Sequence, residues 1–113
     1  MRVLATSKPF DYKRLERDFE ALKLPTDFSI TVLDEIGSYW GLYFPRKRLI
    51  KSYVAGLSYE TAFPHILHES IHHYQHRYQH GFMRKHGVMH DSTFLELYES
   101  KLNEWVLLYK DRR

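Results

Sequence analysis

The 113-residue chain is long enough for one compact domain, and its composition, 43% hydrophobic and 16% aromatic, excludes a disordered protein. It contains no cysteine, which excludes disulfide bonds, a thiolate nucleophile and a cysteine-based zinc ribbon. The net charge of +3 permits contact with DNA through small basic clusters but does not require it. Because no apolar stretch suits a signal peptide or a membrane span, we expect a single cytoplasmic domain over residues 1–113.

The first half of the chain predicts one helix followed by strands. Residues 10–24 carry apolar side chains at helical spacing and predict an amphipathic helix that Pro25 ends. Apolar and polar side chains alternate in residues 27–36, which predicts a half-buried strand. Residues 38–44 are rich in aromatic side chains and predict a second strand, and residues 47–54 predict a third. We expect these strands to form a small antiparallel sheet.

The second half predicts two helices. A long central helix runs from about Ser58 or Thr61 to Gln79, and we expect the regular helix to start near Thr61, since Pro64 is compatible only with a first turn. A loop bracketed by glycines at its ends, residues 81–87, follows, and Asp91 or Ser92 caps a last helix. The order α-β-β-β-α-α predicts an α+β fold: an N-terminal helix, a three-stranded antiparallel sheet, a long central helix and a C-terminal helix.

Apolar side chains on the central helix recur every three or four residues and indicate its core side. We assign to the core Phe63, Leu67, Ile71, Tyr74 and Tyr78. Both tryptophans, Trp40 and Trp105, are assigned to the core as well.

A second face of the central helix carries the segment HESIH, residues 68–72. His68 and His72 are one turn apart, about 5–6 Å between Cβ atoms, so both imidazoles can reach one metal ion. Zinc accepts imidazole nitrogen and prefers four tetrahedral ligands. Glu69 points away from the pair and is placed to receive a proton from metal-bound water, which is the logic of the HExxH motif.

A catalytic zinc needs a third protein ligand, and the sequence leaves several candidates: His76, His80, His86, His90, Asp91, Glu96 and Glu99. We favour His90, because it stands at the entrance of the last helix, where a ligand is held firmly. A rival site is the H-x3-H-x5-H series of His76, His80 and His86, but that series lacks the glutamate after its first histidine. We interpret His73 as a surface residue or a supporting neighbour of the ligands.

Two segments together resemble a known family. HESIH at residues 68–72, followed by HDSTF at residues 90–94 at the opening of a helix, resembles the SprT-like (Spartan/Wss1-like) zinc metallopeptidase domain, and the resemblance covers roughly residues 10–109. It implies Zn²⁺ held by His68, His72 and His90, with Glu69 as general base. Better-known members cleave proteins bound to or crosslinked with DNA. This chain lacks their cysteine zinc ribbon, which implies a minimal catalytic core.

The resulting hypothesis is a zinc metallopeptidase that hydrolyses a protein or peptide lying along an exposed strand edge of residues 38–54. DNA-associated proteins are one class of substrate that the resemblance implies. A non-catalytic, zinc-stabilised module that binds nucleic acid or protein is the alternative, and an inactive relative is a third. The sequence leaves the oligomeric state open.

Overall fold

The structure is a computed structural model, and it describes residues 1–4, 9–34, 40–78 and 92–111. In these residues the helices and strands are β1 (Arg2–Val3), α1 (Tyr12–Ala21), β2 (Ser29–Val32), β3 (Gly41–Phe44), β4 (Leu49–Ser52), α2 (Tyr59–Tyr78) and α3 (Ser92–Asp111). The predicted α+β class is confirmed. None of these helices combines the length and the apolar character needed to cross a bilayer.

The sheet differs from the prediction of three antiparallel strands. Its four strands lie in the order β1-β2-β4-β3. Only β3 and β4 are antiparallel, whereas β2 pairs parallel with both β4 and β1. The reason lies in burial: β4 follows β3 through a 3-10 turn at Pro45–Lys47 and then inserts beside β2, where Ile50 and Ile30 are both fully buried. In the described residues β3 is therefore an edge strand.

The N-terminal helix forms where its apolar pattern predicts, but it is shorter at both ends. The Asp11 side chain caps α1 by accepting a hydrogen bond from the Arg14 backbone N–H, at 3.0 Å. Leu15 and Phe19 are fully buried. The helix ends before Pro25 because Lys23 adopts a left-handed conformation, with φ of 57°.

The central helix begins at Tyr59, between the two predicted starts at Ser58 and Thr61, and Pro64 lies inside it. Ser58 explains a start before Thr61, because its Oγ accepts a hydrogen bond from the Thr61 backbone N–H at 3.3 Å. Proline at this position removes only one backbone hydrogen bond near the helix entrance.

The core face of α2 is confirmed at Phe63, Leu67 and Ile71, which are fully buried. The prediction is wrong for Tyr78, whose side chain is 54% exposed, and Tyr74 is only half-buried. The apolar pattern extends along the helix for one turn more than the core that covers it.

One buried carboxylate joins α1, α2 and α3. Asp18 of α1 is fully buried and accepts hydrogen bonds from Tyr59 Oη at 2.7 Å and from Trp105 Nε1 at 3.0 Å. Burial and the hydrogen bond to Asp18 raise the pKa of Tyr59 above its usual range. The Trp105 ring also stacks on Phe63, with 4.3 Å between centroids, which confirms its assignment to the core.

Candidate metal centre

The HExxH segment of α2 brings three potential metal ligands together. One ligand atom each from His68, Glu69 and His72 lies within 4.8 Å of the others. The two imidazole rings are 5.1 Å apart between centroids, as expected for residues one helical turn apart. The Glu69 carboxylate lies closer to the imidazoles than the helical geometry alone suggested. The described residues therefore contain a cluster that can bind a metal ion.

Glu69 is buried under the edge strand of the sheet. Its side chain is only 7% exposed. It packs against Gly41 of β3 so closely that a Cβ added at that position would lie 3.0 Å from Glu69 Cγ. Burial raises the pKa of Glu69 to about 7, because the carboxylate loses hydration. Glu69 Oε2 is also buried and has no hydrogen-bond partner among the described residues.

A buried carboxylate oxygen without a partner is rare in folded proteins and demands a physical reason. Here two imidazoles lie beside it. A divalent cation next to this group would relieve the cost of burying the carboxylate, and imidazole nitrogen with carboxylate oxygen is a donor set that Zn²⁺ accepts. The residues present fit a metal ion.

The first turns of α3 cover the imidazole side of the cluster. Phe94 is 1% exposed, and its ring centroid lies 5.0 Å from that of His68 and 4.6 Å from that of His72. Tyr98, one turn later, lies 5.9 Å from His68. Packing on both rings restricts their rotation, so α3 helps to hold the two imidazoles in place.

On the opposite side, β3 runs along α2 in the same direction. Three contacts follow one another along the two elements: Trp40 with His65, Gly41 with Glu69, and Tyr43 with His73. Trp40 stacks on His65 with 4.6 Å between centroids and 15° between planes. The Trp40 side chain is 44% exposed, so its assignment to the core is wrong: the residue lies just before the edge strand and has protein on one face.

A hydrogen-bonded chain fixes β3 to α2 beyond the cluster. Tyr43 Oη lies 2.7 Å from His73 Nδ1, and His73 Nε2 lies 2.8 Å from Asp27 Oδ1. The partners identify the tautomer: the tyrosine hydroxyl donates to Nδ1, and Nε2–H donates to the carboxylate. The interpretation of His73 as a surface residue is wrong, because the side chain is fully buried. It lies between the sheet and α2, where it anchors both.

The three side chains of this hydrogen-bonded series, Tyr43, His73 and Asp27, have shifted pKa values. Burial lowers the pKa of His73, which favours the neutral ring. Burial also raises the pKa of Tyr43 to about 12. For Asp27, burial alone would raise the pKa, but hydrogen bonds from His73, Arg77 and Tyr78 outweigh it and lower the pKa to about 2. Asp27 is therefore ionised over the physiological range.

The predicted third ligand, His90, lies outside the described residues, as do His80, His86 and Asp91. The remaining candidates do not join the cluster. Within the described ranges, no group of potential ligands other than His68, Glu69 and His72 comes together, so His76, Glu96 and Glu99 stand apart from it. Both glutamates lie exposed on α3.

Comparison with known proteins gives one structural likeness. No protein-family model matches the chain, and no curated protein matches it. A crystal structure of a Wss1 mutant from S. pombe is similar at 20% sequence identity and a TM-score of 0.46, over 90% of this chain and 91% of that one. A likeness this distant carries no functional argument.

Gly41 is the site residue that the sequence reasoning missed. It contacts the side chain of Glu69 although it lies 28 positions earlier in the chain. A signal was present: an isolated glycine within an aromatic-rich strand often marks a close approach of another group to the backbone.

Proposed function

We propose that this chain is a zinc-dependent metallopeptidase, in which Glu69 is the general base and His68 and His72 are metal ligands. The observation that carries the proposal is the cluster on α2, where ligand atoms of the two histidines and the intervening glutamate lie within 4.8 Å of one another. A structural zinc site does not need a buried carboxylate at that place, whereas hydrolysis does. We also propose that residues 1–113 form one domain.

The proposed ligand set is His68, His72 and His90, which leaves the fourth zinc position open. Imidazole nitrogens are ligands that suit zinc, and the buried carboxyl group of Glu69, whose Oε2 has no hydrogen-bond partner among the described residues, lies beside them. When bound, zinc supplies a Lewis acid that polarises the substrate carbonyl and lowers the pKa of water toward ~7.

Glu69 would move the protons of the reaction. Its carboxylate, beside the two imidazoles, is placed to accept a proton from the attacking water and then to give that proton to the nitrogen of the leaving amine. Its burial keeps bulk water from competing for the carboxylate. Phe94 would support the reaction by restricting the two ligand rings.

We propose that the substrate is an extended peptide that adds to the free edge of β3. The Tyr53 N–H donates to the Trp40 carbonyl at 3.0 Å, so that pair belongs to the hydrogen-bonded positions of the β3–β4 ladder. Positions alternate in an antiparallel ladder, so the backbone groups of Gly41 and Tyr43 point outward. They are the groups that an added strand would bind, and Gly41 lies against Glu69.

DNA-associated proteins are the proposed substrate class, and basic side chains support it. The turn after β3 exposes three basic side chains, Arg46, Lys47 and Arg48. Arg77 of α2 is also exposed, and together with Arg46 and Arg48 it helps to line a cavity of about 470 Å³. This basic surface also favours the alternative, a non-catalytic module that binds nucleic acid. Cleavage distinguishes the two.

The test combines zinc content with digestion of an unfolded protein such as casein. Glu69→Gln is expected to keep its zinc and to lose about 10²- to 10⁴-fold in turnover, the usual range for removal of a general base. His72→Ala and His90→Ala are expected to lose most of the zinc.

Matched controls lie on the same helix. Glu60→Gln changes a carboxylate that pairs with Arg14 at 3.1 Å, and His76→Ala changes an imidazole outside the cluster. Both are expected to keep zinc and turnover. Wild-type turnover by Glu69→Gln would refute the assigned base, and normal zinc content in His90→Ala would refute the third ligand. Zinc-loaded protein that binds DNA and cleaves nothing would favour the binding module.

A further inference from the structure

We propose that Trp40 and His65 form an aromatic subsite beside Glu69, and that it takes an aromatic side chain of the peptide substrate. The inference rests on the proposed function and names which substrates that site prefers. Trp40 is 44% exposed, whereas the other tryptophan, Trp105, is 6% exposed. Such a large apolar ring at the surface loses the free energy of burial unless something covers it.

The Trp40 ring is held in place rather than free to move. Its indole lies flat on the His65 imidazole, 4.6 Å apart and 15° from parallel. Its backbone is fixed too, because the Trp40 carbonyl accepts hydrogen bonds from the Tyr53 N–H at 3.0 Å and from Ser52 Oγ at 3.4 Å. A fixed aromatic ring binds a partner at a small cost in conformational entropy.

Trp40 and His65 lie next to the residues of the proposed catalytic site. His65 is one helical turn before Glu69, and Trp40 directly precedes Gly41, which packs on Glu69. A peptide paired with the outward backbone groups of Gly41 would therefore pass the exposed indole within a residue or two of the bond that is cut. Its side chains on the α2 face would meet that ring.

The chemistry of the pair favours an aromatic partner. Aromatic rings associate in offset or edge-to-face geometry and bury a large apolar area. The Trp40 indole stacks on the His65 imidazole, and the electron-rich face of an indole gives a carboxylate side chain of the substrate little to bind.

The test uses short peptides of alanine, serine and glycine, with or without one phenylalanine, and zinc-loaded protein. Wild type is expected to cut at a fixed distance from the phenylalanine, with kcat/KM about tenfold above that for the peptide with alanine in its place, the size of one aromatic contact. Trp40→Ala is expected to reduce this ratio to about one to two, and Trp40→Phe to retain most of it.

Leu107→Ala is the control, because Leu107 is an apolar residue of α3 that is 62% exposed and lies outside the cluster. This variant is expected to keep the wild-type ratio of kcat/KM between the phenylalanine and alanine peptides. A second readout is binding of the peptide to the zinc-loaded Glu69→Gln variant, monitored by tryptophan fluorescence. The change in fluorescence on binding is expected to disappear when Trp40→Phe is added to that variant. Cleavage by wild type without a phenylalanine preference, or a preference that survives in folded Trp40→Ala, overturns the subsite and leaves the proposed function standing. No cleavage of any peptide by wild type overturns the proposed function, and this inference with it.

Discussion

Gly41→Ala tests directly whether close packing of β3 positions Glu69. The new methyl carbon would lie 3.0 Å from Glu69 Cγ, 3.4 Å from Glu69 Cδ and 3.2 Å from the Lys51 carbonyl oxygen. Carbon atoms pack without repulsion at about 3.5–4.0 Å, so relief requires the glutamate side chain to move by about 0.5–1 Å. The carbonyl belongs to the β4 backbone and cannot yield easily, so the side chain is what moves.

A displacement of that size matters more for catalysis than for stability. A misplacement of about 1 Å at a reacting group costs about 10²-fold in rate, so kcat/KM of Gly41→Ala is expected to fall by about 10- to 100-fold. Overpacking of one methyl group is expected to cost about 1 kcal/mol of unfolding free energy. Zinc content is expected to remain that of wild type, because the new contacts involve Glu69 and not His68 or His72.

The assay measures peptide cleavage, zinc content and urea unfolding of the same preparations. Gly56→Ala is the matched control, since a Cβ at Gly56 meets no atom within 4 Å. Wild-type turnover by Gly41→Ala would refute the idea that this contact sets the position of the base. Loss of zinc from Gly41→Ala would show that β3 supports the ligands rather than the base, which is also contrary to the reasoning.

Two further predictions concern stability. Asp18→Ala is expected to lose about 2–4 kcal/mol of unfolding free energy, because Tyr59 and Trp105 would keep buried donors without an acceptor. Urea unfolding measures this loss, and Glu20→Ala, at an exposed position on α1, is the control. An equal loss in the two variants would contradict the prediction. The depressed pKa of Asp27, about 2 against a usual 3.8, stabilises the folded protein above about pH 4, and this contribution disappears as the pH falls toward 2. The Asp27 side chain is 35% exposed, so solvent screening reduces the effect to about 1 kcal/mol. The stability difference between wild type and Asp27→Asn is therefore expected to shrink between about pH 5 and about pH 2, and a constant difference would refute the assignment.

Sequence patterns predicted the elements of the fold better than their arrangement. Helical periodicity predicted α1, α2 and α3, the three α-helices among the described residues, because each buries one apolar face. Strand pairing is different, because alternation records which face of a strand is buried and not which strand is its neighbour. The parallel pairing of β2 with β4 was therefore missed, and a two-residue strand such as β1 has no pattern to detect.

At the site, local geometry could be predicted and contacts between distant segments could not. The proximity of His68 and His72 follows from helical spacing and is seen in the structure, whereas Glu69 lies closer to the two imidazoles than the prediction that it points away from them. The full burial of His73 does not follow from spacing: α2 packs against both the sheet and α3, so its buried arc includes polar positions. The assignment of His90 as third ligand stays a prediction.

The side-by-side course of β3 and α2 has a consequence for how such chains can diverge. A strand advances about 3.3 Å per residue and a helix about 1.5 Å, so two strand residues, from Gly41 to Tyr43, span nearly the same length as four helical residues, from Glu69 to His73. One inserted residue in the strand would turn every later side chain to the opposite face, and one in the helix would rotate its later partners by about 100°. Side chains in these two segments can therefore be exchanged during evolution, whereas their lengths cannot. Remote homologues are expected to align without gaps over residues 40–43 and 65–73 and to place their insertions elsewhere.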